Sequence, residues 1–187
     1  MHDLQERLLA NPVVAAVKTE EMMASAIASD CEVVFLLAST LLNVAAYVRR
    51  IHEAGKVAVV HIDLVEGLSS REIAVNALLD SAHPDGIIST HPNLIRRARH
   101  LGLLTIQRAF LLDSLSLTSL YQQLALGKPD FVEILPGIMP PIITEICTHT
   151  TVPVIAGGLI RYKSDVLAAI HAGAGAVSSS SPVVWAM

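Results

Sequence analysis

The segment PVIAGGLIRYKSDVLAAIHAGAGAVSSSSP, residues 153–182, contains two short apolar runs on either side of one amphipathic stretch. The runs PVIAG (153–157) and GAVSS (175–179) have the length and composition of buried strands, and residues 163–172 have the pattern of a helix. A strand, a helix and a second strand in this order predict parallel pairing through a right-handed crossover. The unit therefore indicates an α/β fold with a parallel sheet.

The same alternation of strand and helix continues along the whole chain. Eight strand units favour a closed barrel, although an eight-stranded doubly wound sheet is an alternative. We expect one compact parallel (β/α)8 TIM-type barrel domain over residues 1–187. The chain is short for this fold, which typically has about 250 residues. Only a short last helix is expected after Pro182. The predicted strands are 12–17, 32–37, 57–63, 85–89, 103–108, 130–135, 153–157 and 175–179, and the predicted helices are 19–29, 40–54, 69–82, 92–101, 113–126, 139–148 and 163–172.

Composition limits the function classes that are open to the chain. Hydrophobic residues make up 52% and charged residues only 16%, with a mean hydropathy of +0.55, which suits strands covered on both faces. The net charge is −4 and the pI is near 6.0. Because dedicated nucleic-acid binders are usually basic, any RNA contact must come from a local patch.

Targeting and redox features point to one compartment. The amino-terminal MHDLQER lacks the character of a signal peptide, and the longest apolar region, Val33–Val48, is too short and too interrupted to span a bilayer. Cys31 and Cys147 show neither metal-ligand spacing nor a disulfide framework, so they are expected to be reduced core thiols. We expect a cytoplasmic protein without membrane contact.

Several polar residues occur near the ends of predicted strands. In the string VAVVHID, His61 and Asp63 have the same parity and are expected on one face near the carboxyl end of the strand. Glu133 and Gln107 occupy similar positions in their strands, and Lys18 directly follows the first strand. These side chains are expected to converge on the carboxyl-end mouth of the barrel, where this fold binds ligands.

Buried carboxylates at this mouth need partners. Asp63 and Glu133 require Lys18, Arg108 or the hydroxyl groups of a ligand, because a buried unpaired charge is costly. The alternative is an ion-pair layer that satisfies itself at the top of the barrel. The His-x-Asp pattern also suggests a metal, but two ligands without a third His or Cys are weak evidence, and no metal is expected.

Two features after the seventh and eighth strands predict an anion site. Gly157 and Gly158 allow backbone N–H groups to approach an oxygen closely, and the run Ser178–Ser181 adds hydroxyl donors. Pro182 suits the first position of a helix capped by the preceding serine, and Arg161 supplies a countercharge. Because phosphate-binding barrels use these two loops, we expect a small organophosphate ligand. The alternative is a tight glycine turn beside an exposed serine cap.

Six longer strings extend beyond any general barrel signature: VHIDLVEG (60–67), DGIISTH (85–91), TIQRAFLLDS (105–114), PDFVEILPGIMP (129–140), IAGGLIR (155–161) and AGAGAVSSSS (172–181). In these strings the sequence resembles the glycerol-3-phosphate-responsive antiterminators, which are bacterial regulators of glycerol-uptake operons. The resemblance covers almost the whole chain from about residue 12. It implies a sensor that binds glycerol 3-phosphate as a regulatory ligand, uses no cofactor and acts on leader mRNA.

The resemblance extends to individual residues. The family motifs correspond here to VHIDL, IQR, PDF-E-LPGI and AGG-IR, whereas the pure serine run after the eighth strand departs from the family. No catalytic residue is expected. With Lys18 and the serines from the strand-end argument, the expected ligand-binding residues are Lys18, His61, Asp63, Gln107, Arg108, Glu133, Gly157, Gly158, Arg161, Ser178, Ser179 and Ser180.

The RNA contact that the resemblance implies is assigned to two basic helices near their carboxyl ends. A favourable interaction with the helix dipole is the alternative role of these cations. Aromatic residues are only 4% of the chain, so base stacking is not expected to dominate. A net charge of −4 predicts modest, strongly salt-dependent RNA affinity. The expected RNA-binding residues are Arg49, Arg50, Arg96, Arg97 and Arg99.

Two other functions fit the same barrel. A small phosphosugar isomerase or aldolase would need a base or a Schiff-base lysine at the mouth, and Lys18, His61 or Glu133 could serve. A metabolite-binding protein could instead act through a protein partner, with the basic helices as ordinary surface. The sequence leaves these alternatives open, and it does not decide whether the chain forms a homo-oligomer.

Overall fold

The computed structural model describes the backbone of residues 2–187 and the side chains of residues 4–187. Eight parallel strands close into a barrel, which confirms the predicted (β/α)8 fold. The strands are β1 (Val13–Val17), β2 (Val33–Leu36), β3 (Val57–His61), β4 (Gly86–Ser89), β5 (Leu104–Phe110), β6 (Phe131–Leu135), β7 (Val154–Gly157) and β8 (Ala176–Ser179). Each strand pairs with its sequence neighbours, and β8 pairs with β1 to close the barrel.

Helices alternate with the strands on the outside. No helix in the described part of the chain is long and apolar enough to cross a membrane. The helices are α1 (His2–Ala10), α2 (Glu20–Ala28), α3 (Val44–Glu53), α4 (Ile73–Ala82), α5 (Pro92–His100), α6 (Ser114–Gly127), α7 (Pro140–His149), α8 (Lys163–His171) and the single turn α9 (Pro182–Trp185).

Most elements begin and end within one or two residues of their predicted bounds, but the loops after β2 and β3 differ. Ser39–Thr40 and Val65–Glu66 form a second, two-stranded sheet, and Ile62–Leu64 forms a turn of 3-10 helix. Helices α3 and α4 therefore begin four residues later than predicted, and β3 ends at His61 rather than at residue 63. Local pairing between two loops is a tertiary contact that strand and helix periodicity does not show.

Side chains alternate between the inside of the barrel and the surrounding helices. Val14, Phe35, Val59, Ile106 and Ile155 belong to one buried cluster inside the barrel. Their neighbours along each strand belong to two further clusters that pack against the helices. Because both faces of the strands are covered, the strands are continuous apolar runs in the sequence.

Helix α1, which the sequence analysis did not predict, lies across the amino ends of the strands. Leu8 is fully buried in the interior cluster. Gln5 Nε2 donates to Asp130 Oδ1 at 3.1 Å, and Arg7 Nε pairs with Glu32 Oε2 at 2.8 Å, both carboxylates lying just before a strand. The amino end of the barrel is therefore covered.

Candidate functional site

A cavity of about 740 Å³ opens at the carboxyl ends of the strands. This volume lies within the range of small-molecule sites. Most of its wall comes from the ends of β1, β5, β6, β7 and β8 and from the loops that follow them, and Leu37 and Leu64 contribute from the segments after β2 and β3. Eight of the expected ligand residues line the cavity: Lys18, Arg108, Glu133, Gly158, Arg161, Ser178, Ser179 and Ser180.

Arg108 and Glu133 form a buried ion pair at the base of this cavity. Arg108 Nε donates to Glu133 Oε2 at 2.6 Å, and the two side chains are 7% and 1% exposed. Ser178 Oγ donates to the other carboxylate oxygen, Oε1, at 2.5 Å. Glu133 thus has the Arg108 partner that its burial requires, and both of its oxygens are satisfied by protein groups. We call these three residues the polar layer.

Gly157 makes room for the polar layer and does not line the cavity. A Cβ at this position would lie 2.6 Å from Glu133 Oε1 and 2.7 Å from Ser178 Oγ. Any other residue would therefore displace the hydrogen bond between these two groups. The glycine therefore allows another group to approach the backbone closely, as predicted. That group is the buried Glu133 carboxylate and not a ligand oxygen.

Three polar groups that face the cavity have no carboxylate or hydrogen-bond partner for their side chains within residues 4–187. These are the ammonium of Lys18, the guanidinium of Arg161 and the hydroxyl of Ser180, and all three residues are exposed. They follow β1, β7 and β8, which are neighbours in the barrel. Gly158 and Leu159 between them have φ values of +74° and +62°, so the chain makes a left-handed turn at the cavity edge.

The other serines of the run hold the backbone in place. Ser179 Oγ donates to the Ile160 carbonyl at 2.6 Å and accepts from the Ser181 N–H at 3.1 Å. Trp185 Nε1 donates to the Ser179 carbonyl at 2.7 Å. These bonds connect β8 to the loop after β7 and to α9, so Ser179 has a structural role at the cavity wall.

His61 lies beside the polar layer but does not line the cavity. It is 4% exposed, and its Nδ1 is buried without a hydrogen-bond partner among the described residues. Burial, followed by the nearby Arg108 guanidinium, lowers the pKa of His61 to about 4, although Asp63 acts in the opposite direction. The imidazole is therefore neutral at physiological pH.

Asp63 lies outside the cavity, which corrects the parity argument. Its carboxylate accepts hydrogen bonds from Ser89 Oγ at 2.6 Å, from Thr90 N at 2.7 Å and from Thr90 Oγ1 at 2.8 Å. The prediction that His61 and Asp63 share one face required an extended strand through residue 63. In the structure β3 ends at His61, and a 3-10 turn follows. Asp63 fastens the loop after β4.

Gln107 also lies outside the cavity, on the helix side of β5. Its Nε2 donates to the Thr90 carbonyl at 3.0 Å and to Gln123 Oε1 at 3.3 Å. In the sheet, Glu133 is the register partner of Arg108 rather than of Gln107. Arg108 is therefore the inward neighbour of Glu133.

The basic helices lie on the outer layer, and their arginines have partners. Arg97 Nε donates to Asn76 Oδ1 at 2.9 Å. The other four contact carboxylates: Arg49 with Glu53 at 3.9 Å, Arg50 with Glu20 at 2.5 Å, Arg96 with Glu72 at 3.3 Å and Arg99 with Asp130 at 3.9 Å. These clusters are therefore largely compensated in charge.

The apolar wall of the cavity was not predicted from the sequence. Phe110 and Leu135 line it two residues after Arg108 and Glu133, so strand alternation carried the signal for both. Tyr162 also lines it, from the loop after β7, where no local pattern indicates it.

No group of three His, Cys, Asp or Glu side chains within residues 4–187 could hold a metal ion. Cys31 and Cys147 are free thiols, as expected, the first buried and the second half-buried. Burial raises the pKa of both thiols, so the protonated form is favoured.

A family model and a related protein both match most of the chain. Residues 13–185 match the family described as glycerol-3-phosphate responsive antiterminator. The chain is 38% identical over 177 residues to the uncharacterized protein YgcP of Escherichia coli strain K12, which covers 95% of this chain and 93% of that protein.

Solved structures with the same barrel fold superimpose on most of the chain. The glycerol uptake operon antiterminator regulatory protein from Listeria monocytogenes superimposes with a TM-score of 0.87 at 33% identity, over 90% of this chain and 91% of that chain. Deoxyribose phosphate aldolase from Aeropyrum pernix superimposes with a TM-score of 0.70 at 18% identity, over 97% and 94% of the two chains. The second likeness shows the barrel fold alone.

Proposed function

Because this chain belongs to the glycerol-3-phosphate responsive antiterminator family, we propose that it senses glycerol 3-phosphate and acts on the leader mRNA of a glycerol-uptake operon. The observation that carries the proposal is the cavity, whose wall includes two exposed cations, Lys18 and Arg161, without carboxylate partners in the described part of the chain. Unpaired cations in a concave site attract a small anion.

The phosphate group of the ligand belongs at the edge formed by β1, β7 and β8. Lys18 and Arg161 supply charge there, and Ser180 supplies a hydroxyl donor. An arginine can bind two phosphate oxygens at once, whereas a lysine acts as a point charge. Gly158 forms part of this edge with a φ of +74°, and a Cβ there would lie 3.1 Å from Leu135 Cδ2.

The glycerol hydroxyls belong against the polar layer. Arg108 uses Nε for Glu133, and its terminal nitrogens have no protein partner within the described residues, so they are free to donate to ligand oxygens. Ser178 holds Glu133 from the opposite side. Because these groups are positioned before the ligand arrives, binding does not require a new side-chain arrangement.

The same geometry favours binding over catalysis. Both oxygens of Glu133 already accept hydrogen bonds, which makes it a poor general base. Lys18 is exposed, whereas an amine that forms a Schiff base is activated by desolvation or by a neighbouring cation. His61 does not line the cavity. We therefore propose a non-enzymatic regulator with no cofactor beyond its regulatory ligand.

Calorimetric titration with glycerol 3-phosphate tests the ligand, with glycerol and inorganic phosphate as separate titrants. The intact ligand should bind most tightly, because only it fills both ends of the site. Retention of a labelled leader transcript on the protein, with and without glycerol 3-phosphate, tests the RNA. If saturating glycerol 3-phosphate produces no heat, no rise in Tm and no change in transcript retention, the proposed function is wrong. Turnover of a triose phosphate in the same mixture would instead support the enzyme.

A further inference from the structure

Two loops at the carboxyl end of the barrel expose large apolar side chains. Phe110 ends β5, Leu112 follows it, and Leu115 lies in the first turn of α6. These three residues are 52%, 85% and 76% exposed, and Ile138, in the loop after β6, is 47% exposed. We call Phe110, Leu112, Leu115 and Ile138 the apolar patch.

The two loops of the apolar patch lie side by side. The Leu111 N–H donates to the Leu135 carbonyl at 2.8 Å, at the point where β5 and β6 end. The exposed side chains therefore belong to one part of the surface. Single exposed apolar residues are ordinary in soluble proteins, whereas a group of them at one place indicates an interaction surface.

The segments that carry the patch are almost free of charge. Residues 109–127 contain one charged residue, Asp113, and residues 134–144 contain none. Asp113 Oδ1 accepts the Ser116 N–H at 2.8 Å, so this carboxylate caps α6 and its charge is offset by the helix dipole. The other charged residues of the carboxyl end lie in and after the loops that follow β1, β3 and β7. Depletion of charge is typical of the core of an interface between proteins.

We propose that the apolar patch joins two copies of this chain across a twofold axis. In such an interface each patch faces its own equivalent, so an apolar patch is complementary to itself and needs no charge pairs. A stable interface covers roughly 800 Å² on each partner, which is about a tenth of the accessible surface of 8638 Å². The patch would form its apolar core, and the exposed Leu159 and Tyr162 after β7 would lie in its rim.

Two other occupants fit the patch less well. RNA requires cations for its phosphates, and the patch segments contain no lysine or arginine. A membrane surface holds proteins through apolar insertion together with basic residues, and the charged residue within the patch segments is the acidic Asp113. The absence of positive charge in this part of the sequence therefore favours a second copy of the chain.

The patch is continuous with the ligand site, because Phe110 also lines the cavity. A second copy seated on the patch would cover the β5 side of the cavity mouth, so a bound ligand should leave the dimer more slowly than the monomer. Linkage then requires the ligand to strengthen the dimer by the factor by which the dimer strengthens ligand binding. This coupling rests on the proposed function, because it takes glycerol 3-phosphate as the ligand, whereas the dimer itself does not depend on that identity.

Sedimentation equilibrium of the full chain over a concentration series tests the dimer. Leu112→Ser/Leu115→Ser removes two patch leucines that do not line the cavity. Leu126→Ser/Leu167→Ser is the matched control, since these leucines are 64% and 46% exposed and lie in the last turn of α6 and in α8, away from the patch. Thermal unfolding of both variants shows whether the fold is kept.

The parent should reach twice the chain mass of 20.0 kDa as its concentration rises. The patch variant should have a dimer dissociation constant about a hundredfold higher or more, because four apolar side chains are lost from the interface. The control variant should stay within about twofold of the parent. A parent that remains monomeric, or a folded patch variant that dimerises as well as the parent, would overturn the inference.

The same series with saturating glycerol 3-phosphate tests the coupling, with calorimetry run in parallel. The ligand should lower the dimer dissociation constant of the parent and of the control variant. If calorimetry shows binding but the dimer dissociation constant does not change, the coupling is wrong and the proposed function stands. If calorimetry shows no binding, the proposed function and the coupling both fail, and sedimentation without ligand still decides the dimer.

Flotation with vesicles of phosphatidylcholine and phosphatidylglycerol separates the dimer from a membrane contact. The parent should stay with the free protein. A monomeric parent that floats with the vesicles, and a patch variant that does not float, would assign the patch to a lipid surface and overturn the inference.

Discussion

Arg108 and Glu133 are register partners on neighbouring strands, and a hydrogen bond of 2.6 Å joins them inside the barrel. Ser178, on β8, completes the polar layer at 2.5 Å from Glu133. The apolar interior lies on one side of this layer and the cavity on the other, as shown by Ile106 and Phe131, which precede the ion pair by two residues and belong to the interior cluster. The layer is thus the boundary between core and site.

Removal of one partner from this pair should destabilise the fold. Arg108→Met should lower the free energy of unfolding by about 3–5 kcal/mol, because the Glu133 carboxylate would stay buried without a countercharge. Arg108→Met/Glu133→Leu should recover most of that loss, since apolar residues can replace a buried pair. Urea unfolding at neutral pH measures both. If the single and double variants are equally unstable, the loss does not come from an unpaired Glu133 carboxylate, and the prediction is wrong.

A methyl group at Gly157 should damage the polar layer. Gly157→Ala should cost about 1–3 kcal/mol of stability through overpacking and should weaken glycerol 3-phosphate binding, because the Cβ would displace Glu133 or Ser178. Gly55→Ala is the control, since its φ of +73° adds backbone strain but nothing lies within 4 Å of a Cβ there. The Gly55→Ala variant should lose stability and keep its affinity for glycerol 3-phosphate. Equal affinities of the two variants, measured by calorimetry, would refute this role.

His61 should make stability dependent on pH. Its pKa is about 4 in the folded protein against an ordinary value of 6.5, so in this range the unfolded chain takes up a proton that the folded chain does not. Stability should therefore fall from pH 6.5 to pH 4, by about 3 kcal/mol at most from this group. His61→Gln should have a flatter profile. Parallel profiles of parent and variant in denaturant unfolding would show that His61 does not contribute.

Arg161 should contribute to ligand affinity without supporting the fold. Arg161→Ala should weaken glycerol 3-phosphate binding about tenfold or more, as expected for loss of a charged hydrogen bond, and should leave the Tm nearly unchanged because the side chain is exposed. Lys128→Ala is the matched control, since Lys128 is also exposed but follows α6 at the other end of the barrel. Calorimetry should separate the two variants, and equal affinities would place the anion elsewhere.

The barrel was predictable because its signals are local. Each strand is a short β-branched run and each helix an amphipathic stretch, so most predicted bounds agree with the structure. The exceptions involve contacts between distant segments. Ser39–Thr40 pairs with Val65–Glu66, and α1 packs Leu8 into the interior of a barrel that is built from later residues.

The candidate site was predictable only in part. Residues at the ends of β1, β6, β7 and β8 lie at the cavity as expected, because the carboxyl ends of parallel strands meet at one end of a barrel. His61, Asp63, Gln107 and Gly157 do not line it. For Asp63 and Gln107 the outcome depended on where a strand ends and on which of two adjacent residues faces inward, whereas His61 and Gly157 are buried by contacts with other strands.

The sequence by itself determined the parallel barrel, the cavity end and the likeness to one family, because periodicity and motif strings are properties of consecutive residues. Only the tertiary structure decided which polar groups are already occupied. Glu133 and Asp63 have similar sequence surroundings, yet one lies at the cavity with Arg108 and the other is held by Ser89 and Thr90. Hydrogen-bond partners that are far apart in the chain meet only when the register of the strands and the ends of the strands are set. These partners then decide which cations remain free to bind an anion.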